Sequence, residues 1–197
     1  MTLKRRRILI SLGLCLLLAA CGDGINWQTK GIAGLMPPLR FALTEDSGNP
    51  VQAKDFRGHI TLMYFGYTHC PDICPTTLAK LKAAINRLPE SAAQNVRVLF
   101  VTVDPKRDGL ERLRAYTAAF GPQFVGLRGG DAELTQLTKR YRITYGYGKP
   151  DANGDYEVSH SSAVFVFDRS GKARLMVRDS DGVDALAADL EHLESTA

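Results

Sequence analysis

Continuous apolar runs alternate along this 197-residue chain with segments whose apolar residues recur every three or four positions. Ile60 to Tyr67 is an apolar and aromatic run of the kind a buried central strand requires, and Val96 to Val103 is a second. Between them Leu78, Leu81, Ile85 and Leu88 mark one face of a helix. A helix follows the second strand through Leu110, Leu113, Thr117 and Phe120, with Asp108 and Glu111 spaced as a capping box. A short strand at Phe124 to Leu127 precedes a helix from Asp131 to about Tyr141. Thr144 to Ser159 reads as a polar excursion, and Ala163 to Phe167 as a strand. The turn Asp168-Arg169-Ser170-Gly171 folds that strand into a hairpin with Ala173 to Val177. A last amphipathic helix carries Val183, Leu186, Leu190 and Leu193.

Ahead of these elements Leu39, Phe41 and Leu43 alternate, turn residues fill Glu45 to Asn49, and Val51 resumes, which predicts an N-terminal β-hairpin. The order hairpin, β, α, β, α, β, α, ββ, α argues for an α/β fold, a central mixed sheet with helices on both faces. At 45% hydrophobic and 23% charged residues the composition is that of an ordinary globular chain of one domain.

The formal charge of +4 would suggest a nucleic-acid partner, but Lys4, Arg5, Arg6 and Arg7 account for all of it. The rest of the chain is formally neutral and has no electrostatic footprint for phosphate backbones. Those four residues open an export signal. The apolar run from Ile8 to Leu18 follows, too short to span a bilayer comfortably. Leu18-Ala19-Ala20-Cys21 looks like a lipobox. Resemblance to bacterial lipoproteins implies that residues 1–20 are removed and that Cys21 is lipidated. The protein is then expected at the cell membrane, lipid-anchored and facing the periplasm or extracytoplasmic space. Residues 21–38 are expected to be the lipidated N-terminus and a Gly- and Pro-containing tether, with the folded domain at 39–197.

With Cys15 in the signal and Cys21 taken by lipid, only Cys70 and Cys74 remain in the domain. In an oxidising compartment they are a structural staple, a redox pair or a metal site. They lie where a strand passes into a helix, the thioredoxin arrangement, in which the helix N-terminus stabilises thiolate. Thiolate serves both disulfide exchange and a soft metal, so position alone does not separate the two. The Cys-x-x-x-Cys spacing leaves room for two sulfurs to converge on an ion. His160 stands just before the strand at Ala163, where thioredoxins usually hold a cis-proline. Two sulfurs and one imidazole suit copper, as Cu(I) or Cu(II), and are too few for a closed zinc site. His69, beside Cys70, is expected to point away from the sulfur in a structural role. His59 and His192 are expected to be solvated, and Tyr64, Phe65 and Phe167 to be core aromatics. Asp72, between the cysteines, and Asp104, at a strand's C-terminal end, are candidates to surround the metal ligands.

The residues Tyr64 to Pro75 (YFGYTHCPDICP), Val103-Asp104-Pro105-Lys106-Arg107-Asp108 and the distant His160 together resemble the Sco/SenC copper proteins of cytochrome oxidase assembly. The resemblance runs from about Pro38 to the C-terminal helix. It implies a thioredoxin-like fold and copper ligation by Cys70, Cys74 and His160. It also implies delivery of copper to the CuA centre of cytochrome c oxidase subunit II, or reduction of that centre's cysteines. Ser159 replaces an Asp found before the histidine in several relatives, which bears on what orients His160. The other class of function is a thiol–disulfide oxidoreductase keeping partner cysteines reduced. A peroxidase ranks behind both. Copper loading needs both thiols reduced, so a periplasmic thiol reductant and a copper donor are the further expected partners.

Overall fold

The computed structural model describes residues 26–196. The expected export signal, Cys15 and Cys21 lie outside the described residues. Strands β1 (Lys30–Gly31), β2 (Ala42–Glu45), β3 (Pro50–Gln52), β4 (Ile60–Gly66), β5 (Val96–Thr102), β6 (Phe124–Arg128), β9 (Val164–Phe167) and β10 (Ala173–Val177) form one sheet. Their spatial order is β1-β10-β9-β4-β5-β6-β2-β3. A separate two-stranded sheet pairs β7 (Tyr145–Tyr147) with β8 (Val158–His160). The helices are α1 (Ile73–Ile85), α2 (Glu90–Ala93), α3 (Leu110–Ala118), α4 (Asp131–Tyr141) and α5 (Val183–Ser195). None of the helices among the described residues is long and apolar enough to cross a membrane.

Every residue of β4 is buried, because this strand lies at the centre of the sheet with helices on both faces. It pairs in parallel with β5, placing Tyr64 opposite Phe100, and antiparallel with β9, placing Tyr64 opposite Val164. Alternation along β4 sends Tyr64 toward α1, where its hydroxyl meets Cys74. Phe65 turns to the other face, where it packs with Tyr141 of α4, which also contacts Phe165 and Phe167. The result is the mixed, helix-flanked, thioredoxin-like α/β arrangement expected of the pattern. The predicted N-terminal hairpin is present as β2 and β3, with Leu43 opposite Val51, and β6 joins it to the sheet.

Three expectations are corrected. The segment 26–38 is not a free tether: Lys30 and Gly31 form β1 against β10, and Ile32 is buried. Asp189 of α5, itself buried, accepts hydrogen bonds from the Thr29 hydroxyl and from the Gln28 and Thr29 amides. His192 is half-buried rather than freely solvated, with Trp27 packed edge-on against it at 5.2 Å, and His59, also expected to be solvated, is half-buried as well. Gly and Pro content suggested a linker here, but backbone pairing needs no apolar periodicity. Finally, the excursion at 144–159 contains β7 and most of β8.

Candidate metal centre

Cys74 sits in the first turn of α1 and is fully buried, while Cys70 lies in the preceding turn, half-buried. The Cys74 amide, one of the donors a helix start leaves unpaired, points at Cys70 Sγ across 3.4 Å. Both residues carry free thiols. His160 ends β8, and β9 beyond it runs beside β4, so the sheet returns the histidine to the cysteine end of β4. Its Nε2 lies 3.3 Å from Cys74 Sγ. The donor atoms of Cys70, Cys74 and His160 all lie within 4.8 Å of one another. An ion bound at about 2.0–2.3 Å by three such donors in a plane separates them by about 3.7–4.0 Å, so this set fits one metal ion.

His160 is set up as a neutral ligand. Its Nδ1 is 3.0 Å from the Ser161 carbonyl, which takes the Nδ1 proton and leaves the Nε2 lone pair facing the sulfurs. Burial lowers the pKa of the ring. Tyr64 and Tyr67 meet the imidazole edge-on at 6.0 and 5.8 Å and restrict its tilt. Ser159 does not orient it, since its hydroxyl donates instead to the Gly146 carbonyl. Burial also pushes the Cys74 thiol up to about 12. The Tyr64 hydroxyl lies 3.6 Å from Cys74 Sγ, where it can donate to a thiolate. Tyr64, read as a core aromatic, thus has a second role, and only its pairing opposite Phe100 brings it to the sulfur. Phe65 and Phe167 are core residues, as read.

Gly66 is a residue the sequence did not single out. A Cβ there would lie 2.8 Å from Cys74 Sγ and 2.7 Å from the Phe100 ring, so the sulfur takes the space a side chain would fill. His69 turns away from the sulfurs, as expected, toward Thr68 and the Asp108 carboxylate. Asp108 is not the cap of α3, whose N-cap is Gly109. It is fully buried and accepts from the Thr68 amide and from the hydroxyls of Thr68 and Thr102, anchoring the start of the cysteine loop. Sequence spacing suggested a cap, whereas tertiary contact with β4 and β5 turns the carboxylate inward. Asp72 is exposed, lines the same opening as Cys70 and His160, and its carboxylate accepts from the Thr76 hydroxyl. Asp104 is fully buried and binds Arg107 and Tyr156, not His160 directly. The acidic residues at 151–155 form a solvated turn in which the Asp151 carboxylate accepts from the Asn153 and Asp155 amides.

A cleft of about 550 Å³ opens beside the ligands, lined among others by Tyr67, Cys70, Ile73, Tyr147 and His160. Ile73 and Tyr147 are exposed apolar side chains on its walls. Cys70 and His160 therefore face a surface that a second molecule can approach, while Cys74 is shielded.

A family model described as SCO1/SenC matches residues 38–195. The chain is 39% identical over 132 residues to the mitochondrial SCO2 homolog of Mus musculus, a match covering 66% of this chain and 52% of that one. It thus spans about half the length of the curated relatives it matches. Among solved structures it resembles Arabidopsis thaliana ScoI with copper bound, at 32% identity and a TM-score of 0.75. That match covers 81% of this chain and 99% of that chain. Bradyrhizobium japonicum ScoI with copper bound is 33% identical, with a TM-score of 0.71, covering 79% of this chain and 98% of that one. A family match over most of the folded domain, around a Cys-Cys-His cluster that fits one ion, makes this chain a member of the SCO1/SenC family.

Proposed function

We propose that this protein is a copper metallochaperone. Cys70, Cys74 and His160 hold one copper ion, which the protein delivers in assembling the CuA centre of cytochrome c oxidase subunit II. The observation that carries the reading is the convergence of two thiols and the Nε2 of a half-buried, neutral imidazole within 4.8 Å. Two thiolates favour Cu(I), and the imidazole extends the set to Cu(II). When bound, the ion is cargo. The chain's own part is to give up thiol protons, to keep Nε2 available through the Ser161 carbonyl, and to leave Cys70 and His160 open to the cleft. Copper bound to the ScoI relatives supports this reading. In the cell the protein is lipidated at Cys21, held at the membrane facing the periplasm or extracytoplasmic space, kept reduced by a thiol reductant and loaded by a copper donor.

The second reading, a thiol–disulfide oxidoreductase, is favoured by the unequal exposure of the two sulfurs: Cys70 is reachable and Cys74 is buried one helical turn on. In that reaction the Cys70 thiolate attacks a partner disulfide, and Cys74 then displaces the partner thiol, leaving Cys70–Cys74 oxidised and the partner reduced.

Titration of the reduced protein with Cu(I) and Cu(II) separates the readings. One tightly bound copper, greatly weakened by His160→Ala, is the expected result. Full affinity in His160→Ala would overturn the three-ligand site, and disulfide exchange indifferent to copper and to that substitution would favour the oxidoreductase.

A further inference from the structure

His160 is not carried by the main sheet. It belongs to the β7–β8 ribbon, which pairs only with itself, with Tyr145 opposite His160 and Tyr147 opposite Val158. A two-stranded ribbon alone is marginally stable in water, so its position depends on what fastens it to the body. Apart from the Tyr67 hydroxyl, which meets the Val158 backbone, its side-chain fastenings converge on one short segment just beyond β5. The Tyr147 hydroxyl donates to the Val103 carbonyl at 2.7 Å. The Tyr156 hydroxyl donates to Asp104 Oδ1 at 2.8 Å. The Arg107 guanidinium stacks 3.7 Å from the Tyr156 ring centroid and pairs through Nε with Asp104 Oδ2.

Asp104 is fully buried, and both of its carboxylate oxygens are committed, one to Arg107 and one to Tyr156. Its own amide donates to the Thr102 hydroxyl at 3.0 Å, which fixes the carboxylate to the end of β5. A buried carboxylate is costly unless paired, and this pairing joins the sheet to the loop leading into β8. Arg107 also lies 5.8 Å from the Tyr67 ring, and Tyr67 meets His160 edge-on at 5.8 Å. The cluster therefore reaches the imidazole along two routes: through the backbone from Tyr156 to His160, and through the stacked rings.

We propose that Asp104, with Arg107 and Tyr156, is the mooring that holds the ribbon so that His160 stands opposite Cys70 and Cys74. Asp104 is a positioning residue that never touches the metal. It acts on His160 from a site 52 residues away from Tyr156 in sequence. The inference rests on the copper reading only for its effect on binding; the mooring itself is a property of the metal-free protein. Without the mooring the two thiols remain in place at the start of α1 and in the turn before it, but the imidazole loses the anchor that fixes its approach to them.

Tyr156→Phe tests this by removing one hydroxyl while keeping the ring over Arg107. In the metal-free protein, amide exchange should quicken at least tenfold at Gly148 and Ser161, whose N–H groups bond the Glu157 and Thr144 carbonyls across the ribbon. Exchange at Val98, bonded to the Gln123 carbonyl within the main sheet, should not change. Cu(II) affinity should fall about 10–100-fold, the range for partners that orient a metal-binding histidine. The same substitution in a His160→Ala background should cause no further loss, because its effect passes through the imidazole. Unchanged exchange at Gly148 and Ser161 would overturn the mooring, as would an equal copper loss in both backgrounds. If His160→Ala alone kept full copper affinity, the copper reading of His160 would fall, while the exchange rates would still decide the mooring.

Discussion

Substituting Gly66 tests how closely the sheet and the cysteine helix are fitted. A methyl group at Gly66 would stand 2.7 Å from Phe100 Cε2 and 2.8 Å from Cys74 Sγ, against about 3.5–4.0 Å for ordinary carbon contacts. Both neighbours are fully buried. Phe100 is backed by Tyr64 at 6.0 Å and Tyr116 at 5.3 Å, so it has little room to move. Overpacking of this kind costs about 1–3 kcal/mol. For a domain of this size that lowers Tm by about 2–12 °C. Of the two obstacles the sulfur yields more readily, because it ends a short side chain. It moves relative to His160 Nε2, now 3.3 Å away. Metal–ligand distances tolerate about 0.2 Å, so copper affinity should fall further than the stability loss accounts for. The assay is thermal unfolding of the reduced, metal-free Gly66→Ala protein together with a competitive Cu(I) titration. Gly182→Ser is the control: a Cβ there meets nothing within 4 Å, and serine is a good N-cap for α5, so Tm should hold or rise slightly. Gly66→Ala with unchanged Tm and unchanged copper affinity would refute the reasoning.

Because Cys74 in the metal-free protein holds its proton up to about pH 12, copper uptake at pH 8 should release at least one proton per ion. Calorimetric titration in buffers of different ionisation enthalpy measures this, and no release would mean that Cys74 does not bind as thiolate. Burial lowers the pKa of both His59 and His160 in the folded state. Above pH about 6.5 neither state binds these protons; as pH falls below that value the unfolded chain binds them first, so stability drops toward the folded pKa values and then levels. Denaturant titrations from pH 8 to 5 should show that slope in the metal-free protein and a shallower one in His160→Ala; equal slopes would refute the assignment. Asp189→Ala removes the acceptor for three donors of the N-terminal segment. It should cost about 1–3 kcal/mol and open the chain near Thr29 to protease, with copper binding unchanged; cleavage no faster than in the unsubstituted protein would count against the docked segment.

Much of the fold was legible in the chain because burial imposes it locally. Ile60 to Tyr67 and Val96 to Val103 are apolar on both alternating faces, which only a strand covered on both sides satisfies, and they became β4 and β5. Leu78, Leu81 and Ile85 share the helical period and are the buried face of α1. Where polar groups pair across the fold, the pattern carried no such signal. Asp108 has the spacing of a helix cap, yet Thr68 and Thr102 hold it inside. The segment around Lys30 lacks apolar alternation, yet its backbone completes the edge of β10 and its side chains meet Asp189 and Trp27 meets His192.

The candidate site divides in the same way. Cys70 and Cys74 are close in sequence and lie at a strand-to-helix junction, so their chemistry and their proximity follow from the chain alone. His160 was identifiable as a partner by its residue type and its place before a strand. That strand's position beside β4, together with the Ser161 carbonyl on Nδ1, brings Nε2 to the sulfurs. The support around the ligands belongs to tertiary structure alone. Tyr64 reaches Cys74 because of strand register, Gly66 matters because a helix passes over it, and Asp104 matters because Tyr156 comes back to it. Local periodicity encodes which face is buried, since every turn of helix or pair of strand residues repeats the same choice. Which buried polar groups meet is settled only when distant segments close on one another, and no local repeat records that.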